Sequence, residues 1–122
     1  MQELADRGVA VINSAVFNAG FLVGGAYFDY RRVSREDEAD RPLFAWRDKF
    51  HALCQRHDVA PAAACVAFGV APPGVAAVAL NTSNPKRIAE FDALAAAEAP
   101  DAFWLEAKDA GLIDSRFPLP AN

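Results

Sequence analysis

The segment Asn81-Thr82-Ser83-Asn84-Pro85-Lys86-Arg87 gathers the groups best suited to hold an anion. Asn84 is a good helix N-cap and Pro85 a good first residue, which puts Lys86 and Arg87 in the first helical turn. Cations there oppose the helix dipole at a cost of about 0.3–1 kcal/mol each unless a negative group answers them. The unpaired backbone N–H groups of that turn, with the Thr82 and Ser83 hydroxyls beside them, would form a phosphate seat. The simpler reading is that both side chains extend into water, and charge pattern alone does not separate the two. A second polar mouth lies at Asn13 and Ser14, directly after the apolar run Val9-Ala10-Val11-Ile12. Beyond it Gly20, Gly24 and Gly25 allow backbone to come close to a ligand. Both mouths follow runs without polar alternation, as parallel strands buried on both faces have. In such sheets chemistry sits at the carboxyl ends of the strands.

Other chemistries are poorly served. No GxGxxG turn, Walker loop, HExxH or GxSxG occurs. His51 and His57 are six apart and so lie well around a helix from one another. His57 falls on the apolar face and reads as a satisfied, partly buried histidine rather than a catalyst. Cys54, His57 and Cys65 could share a metal, but no fourth ligand has a convincing spacing, so metal is discounted. Both cysteines lie in apolar helical patterns and read as inert buried thiols. A net charge of −4 gives no electrostatic footprint for nucleic acid. No run of about 18 apolar residues exists to span a bilayer, and the opening MQELADRG lacks the basic-then-apolar plan of a secretory signal. The expectation is a cytoplasmic protein that binds neither nucleic acid nor membrane, in a compartment where a disulfide is disfavoured.

Periodicity supplies the elements that must position these residues. With 122 residues and 53% hydrophobic content, the chain can form one globular unit with a core. Met1 to Arg7 reads as the last turns of a helix closed by Gly8, and Val9 to Asn13 as a strand. Tyr27 to Pro42 is too polar for core and reads as a solvated loop, whose length and two tyrosines, Tyr27 and Tyr30, suit a ligand cover. Phe44 to His57 is helical, with Trp46, Phe50, Leu53, Cys54 and His57 on one face and Arg47, Asp48 and Arg56 opposite. Asp58 can cap a second helix with Pro61 in its first turn and Ala63, Val66, Ala67 and Val70 inward, stopped by Pro72-Pro73-Gly74. Val75 to Leu80 is a strand, and the helix from Pro85 carries a stripe of Ile88, Phe91, Leu94 and Ala95. Pro100 to Ala110 is a final helix burying Phe103, Trp104 and Ala107, with Gly111 past its end and an extended tail over Arg116 to Asn122. The order α, β, α, α, β, α, α implies parallel strands joined by right-handed crossovers. Two strands are too few to make a covered sheet, so further strands must come from another chain or from a larger fold.

The stretch INSAVFNAGFLVGG, with Ser14-Ala15-Val16 and Gly20-Phe21-Leu22, resembles the seventh strand and following loop of the aldo-keto reductases, whose pattern there is Ser-Pro-Leu and then Gly-x-Leu. NTSNPKRIAEF resembles the same family's last strand-to-helix turn, which surrounds the adenosine phosphate of NADP. The similarity runs nearly end to end, through the helix ending in Cys54 and His57 to Gly111-Leu112-Ile113. It is closest to the branch of sugar and pyridoxal dehydrogenases.

The resemblance implies an α/β, helix-rich carboxyl-terminal fragment of a (β/α)8 TIM barrel, made of its last two β/α units plus the C-terminal helix. Residues 1–122 would then be a partial aldo-keto reductase domain, since such a barrel takes about 250 residues. It implies that Ser14, Val16, Asn18, Gly20 and Leu22 lie along a cofactor pyrophosphate, and Thr82, Ser83, Arg87 and Glu90 near adenosine, the cofactor being NADP or NAD. Asn81 and Phe91 depart from the family pattern, Phe91 standing where an adenine-facing Asn is usual, which implies weak adenine recognition. The family's catalytic Asp, Tyr, Lys and His come from earlier strands, so neither a catalytic residue nor a metal ligand is assigned here. The implied partners are the missing N-terminal barrel half or a second copy, with a small sugar or aldehyde as substrate of the full enzyme. Two other classes compete with an oxidoreductase portion that is inactive alone. One is a stand-alone phosphate- or nucleotide-binding module, the other a structural remnant that self-associates through strand edges.

Overall fold

The two apolar runs pair as parallel neighbours, and among the described residues the helix that contains Cys65 packs against them. The computed structural model describes residues 2–18, 20–28, 31–80, 90, 93 and 99–117. In chain order these form α1 (Gln2–Asp6), β1 (Val11–Asn13), a 3-10 turn (Phe21–Val23), β2 (Tyr27–Phe28), β3 (Arg31–Arg32), α2 (Arg41–Arg56), α3 (Pro61–Val70), β4 (Val75–Val78) and α4 (Asp101–Asp109). Val11 stands opposite Val75, Ile12 opposite Ala77 and Asn13 opposite Val78, with an irregularity between Val11 and Ile12. The ladder runs on at both ends, where Val11 N–H donates to Gly74 O at 3.0 Å and Ala79 N–H to Asn13 O at 2.7 Å. Both strands are shorter than the apolar runs that encode them.

One face of this ribbon meets α3, where the Asn13 amide donates to Gly69 O at 2.9 Å. On the other face Ile12 is 70% exposed and its partner Ala77 is exposed beside it. Two strands alone are thus not buried on both faces, as the count of strands leads one to expect. No described helix is placed over the Ile12 side of the pair.

The core lies between α2, α3 and α4. Phe50, Leu53 and Cys54 come from α2, Ala64 and Cys65 from α3, and Phe103, Trp104 and Ala107 from α4, at the three- and four-residue spacings that put side chains on one helical stripe. The final helix closes as its sequence requires. Gly111 N–H donates to Lys108 O and Leu112 N–H to Ala107 O, the paired bonds of a Schellman end, and Leu112 is buried.

Asp58 plays a different part from the N-cap expected of it. It has a left-handed φ of 55° and ends α2, with Asp58 N–H on Gln55 O and Val59 N–H on Cys54 O, and Ala60 then leads into Pro61 at the start of α3. Asp is among the few side chains that tolerate this backbone region. Other boundaries moved too. α2 begins at Arg41 because Pro42 is tolerated in a first turn, Val70 is exposed rather than inward, and Phe117 closes a turn onto Asp114 O instead of extending.

The stretch read as a solvated loop, Tyr27 to Pro42, contains an antiparallel hairpin, with Tyr27 opposite Arg32 and Phe28 opposite Arg31. Its polarity is partly internal. Asp40, 1% exposed, takes Arg31 Nη2 at 2.7 Å and the Ser34 N–H at 3.1 Å, while Val33 packs with Phe21 and Phe44. Tyr27 is exposed on β2, and Tyr30 lies outside the described residues.

Candidate functional site

The chain leaving β1 at Ser14 and the chain leaving β4 at Ala79 start from adjacent positions on the same edge, because the strands are parallel and in register at Asn13 and Val78. The two polar mouths of the sequence therefore originate side by side. The first is a compact coil. Asn18 N–H donates to Ala15 O, Leu22 to Phe17 O, Gly24 to Phe21 O and Gly25 to Gly20 O, all within 2.8–3.2 Å. Gly20 at φ 91° and Gly24 at φ 109° take the left-handed turns that bracket the Phe21–Val23 helix. Gly69 lets α3 come against this coil: a Cβ built there would lie 2.6 Å from Val16 Cγ1.

Helix α2 holds the coil from the other side. Arg47 Nη1 donates to Phe21 O at 3.2 Å and Gly25 O at 3.0 Å, and His51 Nε2 donates to Leu22 O at 2.7 Å. The carbonyl can only accept, so His51 carries its proton on Nε2 in this contact. Burial depresses the Arg47 pKa from its usual value. Arg47 is buried between aromatic rings and not on the solvent side where its spacing had put it. The sequence alone does not mark Arg47 or His51 as a loop-holding residue. The signal available was their spacing of four, which places both on one helical face beside Phe44.

Four of the expected site residues, Ser14, Val16, Asn18 and Leu22, line one cavity of about 520 Å³. Gly20 lies off that wall and contributes its backbone conformation. Glu90 is helical and exposed. Thr82, Ser83 and Arg87, with Asn81, Lys86 and Phe91, lie outside the described residues. The cavity's far wall is aromatic, from Trp46, Phe50, Phe68, Phe103 and Trp104, and its rim includes Asp114. The Arg116 guanidinium holds the Asp114 carboxyl below its usual range.

The cysteines and His57 belong to the core and its edge. Burial pushes the Cys54 thiol up to about 11 and the Cys65 thiol to about 12, so both stay protonated near neutrality. His57 Nε2 pairs with Glu106 Oε2 at 2.6 Å, and Arg56 reaches the other Glu106 oxygen at 2.6 Å, stapling α2 to α4. Among the described residues no three His, Cys, Asp or Glu side chains gather as metal ligands.

The sequence profile of the Aldo/keto reductase family matches residues 1–110. The chain is 28% identical over 111 residues to a pyridoxal 4-dehydrogenase of Microbacterium luteolum, an alignment covering 88% of this chain and 31% of that protein. It is 29% identical over 111 residues to a D-threo-aldose 1-dehydrogenase of a Pseudomonas species, covering 89% of this chain and 33% of the relative. The chain thus spans about a third of the length of these curated relatives. No solved structure matches it.

Proposed function

The chain belongs to the aldo/keto reductase family, and from that premise we propose that it is the carboxyl-terminal portion of an NAD(P)-dependent oxidoreductase acting on aldoses or aldehydes. In this reading it supplies the cofactor's phosphate-binding loops and is inactive without the rest of a (β/α)8 barrel. The observation that carries the reading is the parallel β1–β4 register, which starts the Ser14–Leu22 coil and the segment leading to Thr82, Ser83 and Arg87 from neighbouring strand ends. A pyrophosphate along the first and an adenosine phosphate at the second fit strand ends of this kind, where helix N-termini and loop N–H groups receive anions. The exposed face of Ile12 and Ala77 suits further barrel strands.

Titration calorimetry of the 122-residue chain with phosphate, pyrophosphate and NADP tests the reading. Arg87 provides an always-charged bidentate fork, so Arg87→Ala should weaken binding about ten- to a hundredfold and Lys86→Ala by less. With Phe91 where adenine would be read, the three anions should compete at comparable, weak affinity. No anion binding at low salt, or the same constant in Arg87→Ala, leaves a solvated helix end. The chain alone should not oxidise L-fucose, D-arabinose or pyridoxal with either cofactor, because a general-acid tyrosine paired with its lysine is not encoded. Turnover above blank that is lost in Tyr27→Phe or Tyr30→Phe contradicts this. The exposure of Ile12 favours one second reading, a remnant that self-associates through its uncovered sheet.

A further inference from the structure

The chain leaving α4 runs along the cavity wall. Gly111, at φ 74°, follows the helix, and Leu112 is then fixed in place. Leu112 is buried, its N–H donates to Ala107 O at 2.9 Å, and its carbonyl takes the Trp46 indole N–H at 3.2 Å. The next two residues, Ile113 and Asp114, line the cavity. Beyond them the chain closes on itself. The Asp114 carboxylate accepts the Arg116 backbone N–H at 2.8 Å and the Arg116 guanidinium at 2.9 and 3.1 Å, and Phe117 N–H donates to Asp114 O at 3.0 Å. All of these bonds lie inside the turn, so it can move as one piece without breaking them.

The tip of the turn meets α3. Phe117 stacks on Phe68 with ring centroids 4.2 Å apart and planes 14° from parallel. Phe68 itself lines the cavity and is 37% exposed, so this stack lies at the surface. The segment thus bridges α4 and α3, anchored at Leu112 and latched at Phe117. A single ring pair is a modest attachment. Cys65 of α3 lines the same cavity, whereas Cys54, a member of the same core cluster, does not.

We propose that residues 113–117 are a strap that swings on the Leu112 anchor when the Phe68–Phe117 stack parts, opening the cavity and the Cys65 thiol to small molecules while the α2–α3–α4 core stays folded. The strap does not depend on the cofactor reading, since none of its contacts involves the anion seat after β4.

Methyl methanethiosulfonate on the 122-residue chain tests it, with peptide mass mapping to follow each cysteine. The thiol gives its proton to solvent, its sulfur forms a mixed disulfide with the reagent, and methanesulfinate leaves. Cys65 should react faster than Cys54. Urea below the unfolding transition should speed Cys54, which needs wider unfolding, and hardly change Cys65, because a local opening exposes little surface. Phe117→Ala should raise the Cys65 rate about three- to tenfold and leave that of Cys54 unchanged, whereas Phe117→Trp, which keeps a stacking ring, should react as the unsubstituted chain does. The urea comparison on the unsubstituted chain answers the question even if a variant does not fold. Equal rates and equal urea dependence at the two cysteines, or a Cys65 rate indifferent to Phe117→Ala, overturn the proposal whatever the result with phosphate and NADP.

Discussion

Arg47 lies over the ring of Phe21, its guanidinium carbon 4.4 Å from the ring centroid, while its Nη1 donates to the carbonyl of the same residue at 3.2 Å. Phe44 stands on the cation as well, at 4.8 Å. One side chain thus holds the coil after β1 by both its ring and its backbone. Arg47→Met keeps the stem but removes the charge and leaves the Phe21 and Gly25 carbonyls without this donor, which should cost about 1.5–3 kcal/mol of stability. Arg47→Lys should fall between, because an ammonium cannot stack as a planar fork does. Amide exchange at residues 20–25 should quicken in step. An unchanged urea midpoint with unchanged exchange would mean that the coil holds itself.

Gly69 and Val16 meet more tightly than any larger pair could. The 2.6 Å distance from a built Cβ to Val16 Cγ1 is too short for a real contact, and the β-branched valine has few rotamers with which to retreat. Gly69→Ala should therefore destabilise by about 1–3 kcal/mol through overpacking. Val16→Ala in the same chain should recover most of that loss, giving a large coupling in a double-mutant cycle. Additive effects would place the strain elsewhere.

Much of the fold is legible in the sequence, and what is not shares one cause. The α2 and α4 stripes, the parallel strands and the glycine that ends α4 were all readable, because each depends on local spacing or on one residue's backbone freedom. The resemblance of INSAVFNAGFLVGG and NTSNPKRIAEF to known reductase segments agrees with the family match over residues 1–110. Asp40 and Arg47 were misplaced because charge normally signals solvent. Here each charge is met by a group distant in sequence, Arg31 for Asp40 and the Phe21 and Gly25 carbonyls for Arg47. Spacing along one helix carries no trace of such partners.

Two carboxylates should make the chain sensitive to acid. The hydrogen bond from Arg31 holds Asp40 below its usual range, and those from His57 and then Arg56 do the same for Glu106. Both folded-state values are depressed, so the unfolded chain takes up protons first as pH falls. The stabilisation is fully present above the unfolded values, about 3.9 for Asp and 4.3 for Glu, and is lost as pH drops through the lower folded ones. Urea midpoints measured from pH 7 down to pH 3 should fall on that limb. Asp40→Asn and Glu106→Gln should each lower stability at pH 7 and flatten the acid slope. A variant with the wild-type slope would show that its carboxylate does not contribute.

The uncovered strand face sets the last expectation. Ile12, 70% exposed, stands opposite Ala77 on the side of the ribbon that no described helix covers. Burying such a side chain is worth about 1.5–3 kcal/mol, so this face favours company, whether the strands of a larger barrel or a second copy. Studied alone at micromolar concentration, the chain should sediment as a dimer or larger species. Ile12→Lys should shift it toward monomer, because a charge on an exposed strand opposes pairing. The same change should leave the helical circular dichroism almost untouched, since Ile12 is not among the buried residues of the α2–α3–α4 core. A compact, cooperatively unfolding monomer for the unsubstituted chain would rule out self-association through this face and leave the strands of a larger barrel as its proposed cover.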